Sequence, residues 1–210
     1  MIDSAKSPEH YDDAAHAYFI DAVQVPNVTF VIEDNDLIDT EYMTEKSRQR
    51  GKVVHHVLAG IAQGLTFRWE DLHEDLHGYV KSGMLWLERT QPKIISVERQ
   101  VYSRLYGFAG TIDLECMIQD YTWIIDHKTS ASADDCWRYQ DAAYDLALGD
   151  PAPGIKRRRG CLMLKENGTV ANLIPHNGPD HYHDGAEFLA LLTATKIRLR
   201  AGKSQLPKGE

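Results

Sequence analysis

In the run Trp123-Ile124-Ile125-Asp126-His127-Lys128, a carboxylate and an amine stand two residues apart. On an extended strand that spacing sends both side chains from the same face. A second carboxylate, Asp113, sits in the earlier run Gly110-Thr111-Ile112-Asp113-Leu114-Glu115-Cys116. Its alternate residues Ile112, Leu114 and Cys116 are apolar, which puts Asp113 on the polar face with Thr111 and Glu115. Two carboxylates and one lysine can therefore converge at neighbouring strand edges. That is the equipment for holding a divalent cation against a phosphodiester.

Hydrophobic periodicity outlines the elements that must position these residues. A short strand is predicted over 28–33. Val53, Val54, Val57, Leu58 and Ile61 recur at helical spacing and predict a helix over about 41–63. Leu72, Leu76, Tyr79, Val80, Leu85 and Leu87 predict a second helix over about 69–89, before Pro92. Three strands follow, over 94–105, 110–118 and 122–128, then a helix over about 133–148 that Gly149 and Pro151 terminate. Strands over 160–165 and 169–174 flank Glu166-Asn167-Gly168, where Asn-Gly signals a hairpin. A last helix over about 185–200 precedes a polar tail. After the short first strand the order is α-α-β-β-β-α-β-β-α, so the expected class is α/β, a central mixed sheet flanked by helices.

At 210 residues the expectation is a single domain, with its core over about 26–200 and the tail over 201–210. No run of about 18 apolar residues is present, and Met1-Ile-Asp-Ser-Ala-Lys lacks a signal peptide's apolar stretch. A soluble, cytoplasmic protein is expected. Cys116, Cys136 and Cys161 are too few and too scattered for a disulfide framework or a four-thiolate cluster and are read as reduced thiols. The formal net charge of −8 argues mildly against a protein coated in nucleic acid. A locally positive site remains compatible with it, because metal cancels its own carboxylate ligands. The basic run Lys156-Arg157-Arg158-Arg159 is either a phosphate contact or a solvated loop after Pro151-Ala-Pro-Gly154.

Taken together, Glu98, Asp113, Asp126-His127-Lys128 and Gln140-x-x-x-Tyr144, preceded by Gly51-x-x-x-His55, resemble the PD-(D/E)XK nuclease superfamily. More narrowly they resemble its RecB-like branch, with the viral recombination exonucleases and the mitochondrial genome maintenance exonuclease. Each motif alone is weak, but five pieces in order are specific. The resemblance implies a restriction-endonuclease-like core and a metal-dependent DNA exonuclease acting in recombination, repair or replication. Asp113 and Asp126 would ligate Mg²⁺ or Mn²⁺, and the carbonyl of His127 would add a backbone ligand. Lys128 would assist the attacking water and stabilise charge on the phosphate. Glu98, on the strand before Asp113, is either a member of the acidic cluster or ligand of a second metal, or a surface glutamate in the charged string Glu98-Arg99.

On the helical wheel His55 and His56 flank the apolar stripe equally, so periodicity does not choose between them. The family places its histidine ligand four residues after a glycine, and Gly51 selects His55. Gln140 and Tyr144, four apart, share a helix face, and the resemblance implies that they contact the DNA strand or steady Lys128. Arg138, beside Tyr139 and Trp137, is a candidate DNA contact. His73, His77, His176, His181 and His183 show no ligand pattern and are read as surface residues. No Walker A loop is present, so a helicase or annealing partner would be a separate chain. Two alternatives stay open: an endonuclease of the same superfamily, and a non-catalytic DNA- or partner-binding module on the scaffold.

Overall fold

A computed structural model describes residues 8–38 and 45–207. Residues 1–6, read above for a signal peptide, lie outside this range, as do 41–44 of the expected first long helix and the end of the tail.

The chain opens with a three-stranded antiparallel meander, β1 (Glu9–Asp12), β2 (Ala17–Ile20) and β3 (Val23–Val25). Helix α1 (Val28–Glu33) follows, then α2 (Glu45–Ala62) and α3 (Glu74–Thr90), with a 3₁₀ turn at Trp69–Asp71 between the last two. Strands β4 (Lys93–Ser103), β5 (Phe108–Ile118) and β6 (Tyr121–Lys128) lead into α4 (Trp137–Leu148). Strands β7 (Lys156–Met163) and β8 (Asn172–Pro175) and helix α5 (Asp184–Arg200) complete the fold. The five later strands form one sheet in the order β4-β5-β6-β7-β8. All neighbours are antiparallel except β6 and β7. A parallel pair needs a crossover connection, and α4 supplies it.

Helices cover both faces of the sheet. One apolar cluster joins Phe108, Ile112, Ile124, Trp137, Tyr144 and Phe188, and the other joins Val54, Leu58, Val80, Trp86, Leu114, Ile125 and Leu162. Neighbours Ile124 and Ile125 thus serve opposite clusters, which explains why β6 reads as an unbroken apolar run. The mixed sheet flanked by helices is the architecture the sequence predicts.

Three local expectations need correction. Residues 28–33 form a helix, not a strand: the side chain of Asn27 caps it by accepting from the Phe30 amide at 2.8 Å, a local signal that outweighs the β-branched composition. The N-terminal meander escaped the periodicity reading altogether. The predicted helix over 69–89 begins only at Glu74, capped by His73, and β7 starts four residues before the predicted 160.

The basic run belongs to that extension of β7, so it is not a solvated loop, and its three arginines already have partners within the fold. Its residues pair with Tyr121 to Ile124 at the start of β6, two to five positions before Asp126, or about 7 to 17 Å along the strand at some 3.3 Å per residue. Arg157 bonds Asp145 at 2.5 Å, Arg158 lies 3.5 Å over the Tyr121 ring, and Arg159 is buried against Asp184 at 2.9 Å. These guanidinium groups hold the fold together. Arg159→Leu should therefore lose a large part of the roughly 3–5 kcal/mol of a broken buried pair, moderated because Arg138 also reaches Asp184. Arg158→Ala should cost about 0.5–1 kcal/mol, the scale of an exposed cation–π contact. Urea denaturation of the two variants checks that order.

Gly110 lets α4 sit close on β5. A Cβ built there would lie 2.7 Å from a Tyr144 ring carbon and 3.1 Å from a Val28 methyl. Gly110→Ala should destabilise by about 1–3 kcal/mol, as overpacking does, with the loss read by chemical denaturation.

Candidate active site

The ladder between β5 and β6 ends at the pair Leu114 and Ile125. Continuing that register places Asp113 opposite Asp126. On the other side of β5, the pairs Val97 with Leu114 and Arg99 with Ile112 leave Glu98 opposite Asp113. Across the parallel edge Asp126 pairs with Cys161. Glu98, Asp113, Asp126 and Cys161 therefore make one row across four strands. Glu98 adopts a φ of +47°, a left-handed conformation uncommon for a residue with a side chain. The row falls where ladder pairing is interrupted.

Asp113 takes over a role that the ladder gives up. Its Oδ2 accepts the His127 amide at 2.6 Å and lies 3.2 Å from His55 Nδ1. Both aspartates are buried, with exposures of 7% for Asp113 and 3% for Asp126. Asp126 Oδ1 accepts from the Gln140 amide nitrogen at 2.7 Å. Its Oδ2 is 2.7 Å from Lys128 Nζ as an ion pair, yet the angles are not those of a hydrogen bond, so among the described residues this buried oxygen has no hydrogen-bond partner. Lys128 instead donates to Gln140 Oε1 at 2.6 Å and lies 5.7 Å from the Trp137 ring. The Gln140 amide also donates to the Tyr144 hydroxyl at 2.9 Å. One amide thus ties together an acid, an amine and a phenol, all from the α4 side.

Close charges displace each other's titration. Burial disfavours the charged form of Asp113, but His55, the His127 amide and the His127 ring outweigh it and hold the carboxyl low. Burial raises Asp126 to about 6, with Lys128 opposing and Asp113 and Asp141 adding to the rise. Burial raises Glu98 to about 7, and Asp113 adds to this. For His55 burial works downward, but Asp113 overcomes it and lifts the ring to about 9. Burial drops His127 to about 4. Lys128, despite burial, is pushed up by Asp126 and stays a cation. In this arrangement the His55 imidazolium and the Lys128 ammonium supply the positive charge that two buried carboxylates demand.

Nine sequence-predicted residues can now be placed. Asp113, Asp126, Lys128, His55, Gln140 and Tyr144 meet in one cluster, and Glu98 lies within electrostatic reach of it. His127 contributes its amide, while its ring packs edge-on to His55 at 5.6 Å. Between the two adjacent histidines the helix turns His55 toward Asp113 and leaves His56 exposed. Arg138 is not brought to the cluster. It projects from another side of α4, donates to Asp184 at 2.7 Å and to the Tyr139 hydroxyl at 2.6 Å, and so braces α5.

His176 is not the surface residue expected. It is buried and bonds Asp141 at 2.6 Å, beside Cys161. His181 likewise engages Asp184, at 3.1 Å. No sequence spacing links residues 141, 161 and 176, so only the fold reveals that group. The three cysteines are free and buried.

The donor set suits a hard divalent ion. Asp113 and Asp126 offer carboxylate oxygens and His55, once deprotonated, an imidazole, and Asp126 Oδ2, in an ion pair with Lys128 but with no hydrogen bond among the described residues, is an acceptor a metal could use.

No protein-family model matches the sequence, and no curated protein matches it either. Among solved structures, the chain is similar to one from Eubacterium rectale described as a candidate exonuclease, with a TM-score of 0.50 at 12% identity, over 88% of this chain and 78% of that one. A second, LHK-Exo in complex with dAMP, aligns with a TM-score of 0.29 at 12% identity, over 85% of this chain and 94% of that one. The first likeness speaks to the fold.

The two histidines separate in a simple test. His55→Ala should weaken Mn²⁺ binding by roughly tenfold or more, at least the cost of losing a supporting residue of a metal site, whereas His56→Ala should leave it unchanged. Titration calorimetry of both variants reads the difference, and the reverse ranking would remove His55 from the ligand set.

Proposed function

We propose that this protein is a divalent-metal-dependent deoxyribonuclease of the PD-(D/E)XK type, RecB-like, that hydrolyses phosphodiester bonds from DNA ends. One observation carries the reading: Asp113 and Asp126 come together where β5 and β6 stop pairing, with Lys128 against Asp126 and a buried carboxylate oxygen that has no hydrogen-bond partner among the described residues. The fold shared with the structure described as a candidate exonuclease is consistent with it.

Asp113, Asp126 and His55 would hold Mg²⁺ or Mn²⁺, an ion whose chemistry is to polarise a phosphoryl oxygen and acidify bound water. The remaining work falls to the chain. Lys128 stays protonated, so its part is to stabilise negative charge growing on the phosphate rather than to accept a proton. Gln140 keeps Lys128 and Asp126 in register, and Tyr144 fixes the Gln140 amide from behind. Glu98 completes the acidic row at the β4 edge. DNA is the substrate, and a helicase or annealing function would come from a separate chain.

Digestion of end-labelled linear DNA alongside closed circles, in Mg²⁺, Mn²⁺ or EDTA, tests the proposal. Linear DNA should be trimmed in either metal and spared in EDTA, with circles intact. Asp126→Ala should abolish trimming. Lys128→Ala should slow it roughly a hundredfold or more, on the scale of a lost electrostatic stabiliser, with Mn²⁺ affinity nearly unchanged. Cut circles would make the enzyme an endonuclease, and intact linear DNA in both metals would overturn the nuclease reading.

A further inference from the structure

We propose that Asp141, Cys161 and His176 form a second metal site, which takes a borderline-soft transition ion, zinc above all. The three residues come from separate elements: Asp141 from α4, Cys161 from β7 and His176 from the segment just after β8. Their ligand atoms all lie within 4.8 Å of one another. All three are buried, Asp141 and Cys161 completely.

Donor chemistry separates this group from the carboxylate site beside it. A thiolate and an imidazole favour zinc over magnesium, whereas Asp113 and Asp126 favour the harder ion. The spacing is close to what a tetrahedral ion needs. Bonds of about 2.0–2.3 Å keep ligand atoms roughly 3.3–3.7 Å apart, and Cys161 Sγ lies 3.6 and 3.7 Å from the two Asp141 oxygens. The contact of His176 Nδ1 with Asp141 Oδ2, 2.6 Å, must widen on binding. A water or the second Asp141 oxygen fills the fourth position.

Charge balance favours occupancy. A buried carboxylate and a thiolate carry two negative charges, which a divalent ion neutralises where solvent does not reach. Uptake displaces the Cys161 thiol proton and breaks the hydrogen bond between His176 Nδ1 and Asp141 Oδ2. Bound there, the ion ties α4 to β7 and to the chain leaving β8. Asp141 adjoins Gln140, and Cys161 pairs with Asp126. The ion is therefore a positioning device for the row beside it.

The experiment measures metal in the double variant Asp113→Ala/Asp126→Ala, whose neighbouring carboxylate site cannot contribute. After dialysis against metal-free buffer it should retain about one zinc per chain, as a structural site does. Protein reconstituted with Co²⁺ should show a thiolate-to-cobalt charge-transfer band, and Cys161→Ser should lose the band and the stoichiometric metal. Should Cys161→Ser fail to fold, the cobalt spectrum of the double variant still decides. Zinc at buffer background with no thiolate band, or a band that survives Cys161→Ser, would overturn the site and leave a hydrogen-bonded triad. None of these readings depends on DNA cleavage.

Discussion

The structure turns on two buried carboxylates side by side. Asp113 and Asp126 stand where two strands have stopped pairing, and Asp113 Oδ2 takes the His127 amide that would otherwise need a partner. Each buried anion costs several kcal/mol unless it is compensated. Compensation comes from three elements: His55 on α2, Lys128 on β6 and Gln140 on α4. The helices flanking the sheet are thus coupled to the state of this one row, and a group entering it competes with His55 and Lys128 for the same carboxylates.

Helix α4 has a double task. As the crossover that makes β6 and β7 parallel, it must lie across the sheet, and Gly110 lets Tyr144 approach the strands closely enough to do so. The same face presents Gln140 to Asp126 and Lys128, and presents Asp141 to Cys161 and His176. Two adjacent residues therefore address two adjacent positions of one cross-strand row, Asp126 and Cys161. On the opposite side of the helix Arg138 bonds the buried Asp184, which Arg159 of β7 also reaches. The basic residues that suggested a nucleic-acid surface are in large part consumed by this bracing.

Much of this was legible from spacing. Asp126 and Lys128 at strand period and Gln140 and Tyr144 at helix period share faces whatever the fold, because backbone geometry dictates it. The apolar runs of β6 and of α2 and α3 announced elements buried in a layered α/β structure. Local reading failed where a short-range bond or a partner distant in sequence decides. Residues 28–33 look like a strand by composition and are helical because Asn27 caps them. The run 156–159 looks like a loop or a binding patch and is a strand because β6 lies beside it.

The sequence by itself determined the fold class, the order of most elements and the residue types at the candidate site. It did not distinguish His55 from His56, since both flank the apolar stripe of α2 equally; the packing of that helix on β5 selected His55. Nor did it join Asp141, Cys161 and His176. Their meeting depends on strand register and on the placement of a crossover helix, both long-range properties. Periodicity records which way a side chain points from its own element, and only the packing of elements decides what it points toward.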